Sequence, residues 1–477
     1  MTIFRTMLVS AAALGLTAGA AVAQDAATIR AAEQVRDLAL KGNIAFDYTE
    51  KVTTLFGPRP AGSPSEQAAA AWAADYMRAQ GFQNVRIETF PLVGWERGEE
   101  SVELVGPRPQ RLFALALGHS IATPPEGIEA DIAWFDSLEA LQAAPEGSLD
   151  GKIAVVDAGQ MVRMQDGSGY GPLSRIRSQG PNLAAQRGAV AFVMRSAGSD
   201  EHRMAHTGTT AYVDGKVPLP AFALSAPDAD QIARLRALGQ PVRLKLKSTA
   251  RTYQTHSQNV IGDIPGSDRA DQLIVLGSHM DSWDLGTGAF DDAAGGGITL
   301  AAARLIAEQG QPRRTIRVIL YGSEEVAQPQ NHGNGGGAYV RGIGPAGVEQ
   351  HVVAGESDFG ADNIYALALS PGAGDSEFAR IANRVLRPLG ILPSSDAELF
   401  GGVDIGPLAR AGVPVFGLKQ DGTRYFDLHH TADDTLDKID PAQLNQNVAA
   451  WAALVRLIAD SDVDFRALRA SASESGS

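Results

Sequence analysis

Four short apolar runs in the second half of the chain, each followed by residues of metal-binding type, restrict the fold more than any other feature. QLIVLGS (272–278) runs into His279 and Asp281, TIRVILYGS (315–323) into Glu324 and Glu325, and QHVVAGES (350–357) into Asp358. VPVFGL (413–418) leads through a loop to DLHHTADDT, which holds His429 and His430. Short apolar runs rich in β-branched residues mark strands buried on both faces, and helical stretches at 298–309 and 377–389 lie between them. This alternation predicts an α/β fold with a mainly parallel central sheet covered by helices. Parallel strands end along one edge, where open α/β sheets carry their sites.

Taken singly, an acidic residue at a strand end is a solvated loop residue or a helix cap. The joint pattern is different. The Gly-rich segment LGTGAFDDAAGGG (285–297) adds Asp291 and Asp292 just before a helix, with glycines that allow close backbone approach. His279, Asp291, Glu325, Asp358 and His430 then offer two imidazoles and three carboxylates, and the chain has no cysteine. Disulfides are excluded, and a nitrogen and oxygen donor set suits divalent zinc, cobalt or manganese, with zinc the usual metal for hydrolysis. A carboxylate bridge holds two ions ~3.5–4 Å apart, the spacing of metal-assisted displacement, and Asp291 is the natural bridge. Ser278 and Ser323 lie outside any GxSxG elbow, against a serine hydrolase. His119, His202, His206, His256 and His351 lack a cluster and take no role; His332, in QPQNHGNGGG, reads as a solvated loop residue.

The rest of the chain sets the context. At 477 residues it is long enough for two or three units. The opening MTIFRTMLVSAAALGLTAGAAVAQ has a basic residue, a short apolar run and a small-residue triplet, the pattern of a signal peptide cleaved after Ala23, so the expected location is periplasmic or secreted. The apolar run is too short and too rich in Ala and Gly for a membrane span. A net charge of -14 opposes binding to nucleic acid or anionic lipid and leaves a peptide or small-molecule partner. VRIETFPLVGW (85–95) alternates as an edge-like strand, and residues 63–81 and 441–460 read as helices, the latter amphipathic. Between 111 and 247 the texture changes to short strands (KIAVVDA, AVAFVMRS, LPAFALS) with helical patches near 180–187 and 228–238, the mark of an insertion.

His279-Met-Asp281, Phe290-Asp291-Asp292-Ala-Ala-Gly295, Glu324-Glu325, Glu356-Ser-Asp358 and His430-Thr-Ala-Asp-Asp434-Thr435 together resemble the motif set of metallopeptidase family twenty-eight, the dizinc aminopeptidase family, over roughly residues 48–460. SHMDSWDLGTGAFDDAAGG, YGSEE and His429-His430 are most similar to its plasma glutamate carboxypeptidase branch. The resemblance implies the zinc exopeptidase fold and two Zn2+, one on Glu325, His430 and Asp291, the other on His279, Asp358 and the same Asp291. It makes Glu324 the general base, Asp281 the carboxylate that orients the His279 imidazole, and the Asp291-Asp292 peptide cis. Several relatives carry Tyr where this chain has His429; either that imidazole or Tyr425 is expected to stabilise the oxyanion.

The implied activity is an aminopeptidase or dipeptidase acting on a peptide or dipeptide near its free N-terminus. Alternatives on the same fold are a non-catalytic receptor, which should have lost ligands, and a glutaminyl-cyclase-like acyltransferase with one zinc. A homodimer is expected by analogy alone. The insertion resembles the small β-rich protease-associated domain. The expected organisation is therefore a signal peptide at 1–23, a peptidase domain at 24–110 and 248–465, the protease-associated-like insertion at 111–247, and a disordered tail at 466–477.

Overall fold

The period-two pattern of the apolar runs decides which side chain goes to which face. In strands Arg269–His279 and Arg314–Tyr321, Ile274, Leu276, Ile316, Val318 and Leu320 enter one core, while Val275 and Ile319 enter another on the opposite face. A computed structural model of the chain describes residues 26–215, 217–329, 333–370, 373–394, 399 and 401–469. The expected signal segment, His332 and the tail beyond Arg469 lie outside these residues; residues 466–469, the start of the expected disordered tail, are helical.

The central sheet comprises β1 (Gln83–Glu96), β2 (Arg251–Ile264), β3 (Arg269–His279), β4 (Arg314–Tyr321) and β5 (His351–Glu356), in the order β1-β2-β4-β3-β5. A parallel bridge between Ala354 and Val415 joins it to a smaller sheet of β6 (Ile364–Leu369), β7 (Leu392–Pro393) and β8 (Phe416–Gln420), with β8 adjoining. The expectation of a mainly parallel sheet needs correction. β3 is parallel to both β4 and β5, but β1 with β2, β2 with β4 and β6 with β8 are antiparallel. The sheet is mixed, with its parallel strands β4, β3 and β5 together on the side that adjoins β8, because β1 and β2 form a long ribbon that carries the chain out to the insertion and back. β1 lies on the edge, as its alternation implies.

Helix α1 (Ala26–Ala39), α2 (Ala45–Phe56), α3 (Pro64–Ala79), α4 (Ala294–Glu308) and α5 (Pro441–Asp460) cover one face, and Gly335–Glu349 with Gly406–Arg410 cover the other. Ser63 caps α3 by accepting from Glu66 N at 3.2 Å, with Pro64 in the first turn. Helix α2 was not anticipated: its β-branched and aromatic residues and the lack of a side-chain cap hide the buried spacing of Ala45, Tyr48 and Val52. Helix α5 is buried all round from Asn447 to Ala459 and not amphipathic, because it sits between α1, α4 and Glu377–Leu386.

Residues 100–248 build a second, eight-stranded sheet. It starts earlier than the expected 111, since Glu100–Val105 pairs antiparallel with Arg243–Ser248 and closes the segment at its base. Its helices are Tyr170–Gln186 and Ala226–Ala237, among others. Among the described residues no helix is long and apolar enough to cross a membrane.

Candidate active site

β3, β4 and β5 run parallel and stop at one edge. His279 is the last residue of β3; Glu324 and Glu325 follow β4 after Gly322 and Ser323; Asp358 follows β5. After β8 a short helix, Tyr425–Leu428, turns the chain so that His429 and His430 face the same point, with His430 at φ 60. Asp291 and Asp292 precede α4 and are joined by a cis peptide. Glycine is required next to them, because a Cβ on Gly295 would lie 2.1 Å from the Ser357 carbonyl oxygen and one on Gly297 2.6 Å from that of Ala45.

The five expected ligands are brought together. His279 Nε2 lies 3.2 Å from Asp291 Oδ1 and 3.3 Å from Asp358 Oδ1, while His430 Nε2 lies 2.8 Å from Glu325 Oε2 and 3.5 Å from Asp291 Oδ2. Asp291 thus turns one oxygen to each half. Its Oδ2 is buried with no hydrogen-bond partner among the described residues, as suits a carboxylate oxygen reserved for a cation. His279, Asp291 and Glu325, and likewise His279, Asp292 and Asp358, offer donor atoms within 4.8 Å of one another. The donor set fits divalent zinc.

The surroundings hold this arrangement. Asp434, quoted in the sequence motif but given no role there, accepts from Phe290 N at 2.6 Å and Asp291 N at 3.3 Å. Asp292 accepts from His279 N and Gly295 N, both at 3.1 Å. Asp281 differs from expectation. Its main-chain carbonyl, not its carboxylate, meets His279 Nδ1 at 2.9 Å, the nearer carboxylate oxygen being 3.7 Å away. The carboxylate instead accepts from Glu324 N at 3.1 Å and Glu325 N at 3.2 Å, because two residues of strand-end backbone carry it past the imidazole toward the next loop.

Electrostatics follow from packing acids together away from water. Burial, reinforced by Asp358, holds Glu324 well above the ordinary carboxylate range; burial and Asp291 do the same to Glu325 and push Asp434 up to about 7. Burial works against a charge on His279, yet the Asp358, Asp281 and Asp291 carboxylates outweigh it and raise that imidazole well above its usual value. Burial and Arg177 hold His430 well below it.

Sequence reasoning missed five contributors: Arg59, His206, Tyr170, Arg177 and Thr207. Arg59, wholly buried, donates to the carbonyl oxygens of Met280, Gly57, Thr287 and Gly288 at 2.6 to 3.0 Å, and a loop arginine between two prolines gives no hint of that. His206, set aside as isolated, has Nε2 2.9 Å from His429 Nδ1. Tyr170 and Arg177, on an insertion helix, line a cavity of about 930 Å3 with Asp291, Glu324, Glu325 and Asp358. Thr207 fastens the two units: it donates its N–H to the His430 carbonyl at 3.0 Å, and its own carbonyl accepts from Arg177 at 3.1 Å and faces His430 Nδ1 at 3.2 Å. Tyr425 also lines the cavity, its ring stacked on Phe359 at 4.4 Å.

A buried carboxylate shared between two imidazole-carboxylate pairs, at the carboxyl edge of parallel strands, defines a metal-dependent hydrolase. The family model described as peptidase family M28 matches residues 259–455. Carboxypeptidase Q of Homo sapiens is 32% identical over 435 residues, covering 90% of this chain and 89% of that one, and the Mus musculus protein is 31% identical over 437 residues with the same coverage. The chain belongs to peptidase family M28 and is a metallopeptidase. Among solved structures, the peptidase M28 precursor from Shewanella amazonensis SB2B superposes with a TM-score of 0.86 at 41% identity, covering 92% of this chain and 98% of that one. The zinc aminopeptidase BSAP from Bacillus subtilis shares the fold, with a TM-score of 0.61 at 20% identity and coverage of 88% and 95%.

Proposed function

We propose that this M28 peptidase is a dizinc exopeptidase that removes residues from short peptides near a free N-terminus, as an aminopeptidase or dipeptidase. The observation that carries the reading is Asp291, whose two oxygens face His279 Nε2 at 3.2 Å and His430 Nε2 at 3.5 Å. One ion would be held by Glu325, His430 and Asp291, the other by His279, Asp358 and Asp291. Bound there, divalent zinc would polarise the scissile carbonyl and acidify the attacking water.

The chain's own residues do the remainder. Glu324 takes the proton of the attacking water as its oxygen bonds to the carbonyl carbon, then delivers that proton to the amine as the C–N bond breaks. Its carboxylate is free for this because Asp281 anchors the loop through main-chain N–H groups and no side chain of the described residues hydrogen-bonds to it. His429 or Tyr425 supplies the hydrogen bond to the oxyanion. The insertion, read as protease-associated-like, narrows the cleft through Tyr170, Arg177 and Thr209, which suits short peptides better than a polypeptide passing through. Residues 1–23 are read as an export signal, giving a periplasmic or secreted enzyme.

A panel of dipeptides and aminoacyl anilides tests this with zinc, with a chelator, and with Glu324→Gln. The expected result is two zinc ions per chain, chelator-sensitive turnover, and a kcat about 10²–10⁴ lower in the variant with zinc content unchanged. Wild-type turnover in Glu324→Gln overturns the base assignment, and one ion or none per chain overturns the dizinc reading.

A further inference from the structure

His206 is the imidazole at the centre that the metal reading leaves without a task. It comes from the insertion, on the loop between strands Ala191–Arg195 and Ala221–Leu224, and is 2% exposed. Its backbone N–H donates to Ser196 Oγ at 2.9 Å, and its Nε2 is 2.9 Å from His429 Nδ1. One proton occupies that line, and its owner decides what His429 offers to the substrate.

If His206 Nε2–H donates, the hydrogen of His429 must be on Nε2, 3.5 Å from Asp291 Oδ2 and facing the reaction centre. If His429 Nδ1–H donates, the bare Nε2 lone pair faces that carboxylate, and His206 must carry its hydrogen on Nδ1. His206 Nδ1 is buried with no hydrogen-bond partner among the described residues. Buried N–H groups without an acceptor are rarer than buried acceptors without a donor. The first arrangement strands one lone pair; the second strands an N–H and sets a lone pair against a carboxylate. The rings of His429 and His430 stack at 3.5 Å, which packs one face of the His429 ring against its neighbour.

We propose that His206 is a positioning residue: it fixes His429 as the Nε2–H tautomer, so that this ring donates a hydrogen bond to the substrate carbonyl oxygen as negative charge builds on it. The insertion thereby sets the electrophilic donor of the peptidase domain. No proton is transferred; the bond strengthens as the oxygen becomes anionic. The kinetic part rests on the dizinc peptidase reading, whereas the tautomer does not.

The test uses the full chain loaded with zinc and labelled with 15N-histidine. Long-range 1H–15N correlation, with His429 assigned through His429→Gln, is expected to show Nε2–H for His429 in the wild type. His206→Leu should leave a tautomer mixture and lower kcat about 10–100-fold at unchanged zinc content, with KM within about twofold. His206→Gln, whose amide N–H can still donate to His429 Nδ1, should restore the single tautomer and most of the lost rate, and it remains informative if the Leu variant does not fold. A wild-type Nδ1–H signal overturns the proposal. So does an unchanged kcat in His206→Leu, or a third zinc lost with His206, since His206, His429 and His430 also have donor atoms within 4.8 Å of one another. Absence of two zinc ions and of turnover in the wild type would instead remove the underlying dizinc peptidase reading, leaving the tautomer spectrum as a separate result.

Discussion

Asp281→Asn changes almost no volume, yet it removes an acceptor from a side chain with 0% exposure. In the native protein the two carboxylate oxygens accept separately from Glu324 N and Glu325 N, at 3.1 and 3.2 Å. A carboxamide can accept only one of these; its NH2 meets the other N–H head on. The lost bond to a charged acceptor is worth about 1.5–3 kcal/mol and the stranded N–H about 1–3 kcal/mol. Asp281 also stands among acids, raising Glu324, Glu325 and Glu66, so neutralising it returns part of that cost. A net loss of roughly 2 kcal/mol is expected, or a Tm lower by about 2–3 °C for a folding unit of this size. Displacing the Glu324-Glu325 turn by ~1 Å should cost about 10²-fold in kcat. His279 keeps its partner, because that partner is the main-chain carbonyl of residue 281 at 2.9 Å. Affinity should therefore fall about 10–100-fold for the ion on Glu325 and His430 and hold for the ion on His279 and Asp358. Scanning calorimetry, zinc titration and kcat at saturating zinc measure all three. Unchanged Tm and kcat, or weakening confined to the His279 half, would refute the reasoning and restore the carboxylate as the orienter of His279.

Three further outcomes are expected. Arg59→Met takes the charged donor from the carbonyl oxygens of Met280, Gly57 and Thr287 and one of two donors from that of Gly288, and should cost about 3–5 kcal/mol, seen as a lower urea midpoint at unchanged slope. Removing metal by dialysis against a chelator should lower Tm, and free zinc at about 1,000 times its Kd should restore about 4 kcal/mol per site; a Tm indifferent to zinc would count against a metal centre. The third concerns pH: burial and Asp358 push Glu356 up to about 8, so the folded metal-free protein keeps a proton that the unfolded chain releases near 4.5. Its stability should accordingly be highest with respect to this group below pH 4.5 and fall as pH rises toward 8, by roughly 1 kcal/mol per unit between about pH 6.5 and 7.5. Glu356→Gln should flatten that slope in urea titrations.

Much of the site was legible because it rests on a local rule. A short β-branched run such as QLIVLGS reads as a buried strand, alternation with helical stretches makes such strands parallel, and parallel strands end together, so His279, Glu325 and Asp358 could be grouped without coordinates. Where the rule is not local it failed. The sheet is mixed rather than mainly parallel because β2 enters it antiparallel to β4, and periodicity carries no strand direction. Helix α5 was read as amphipathic, yet its polar residues Gln446 and Asn447 are buried and hydrogen-bonded to carbonyl oxygens of the segment 361–364.

By itself the sequence determined which chemical groups meet at the sheet edge, since donor identity and strand-end position are properties of short segments. The tertiary structure alone decided how those groups are held. His206 reaches His429 across 223 residues and Arg59 reaches Met280 across 221, separations over which no periodicity or spacing speaks. Asp281 makes the same point within two residues: the sequence places it beside His279, but only the packed loops decide which of its atoms faces the imidazole and which hold Glu324 and Glu325.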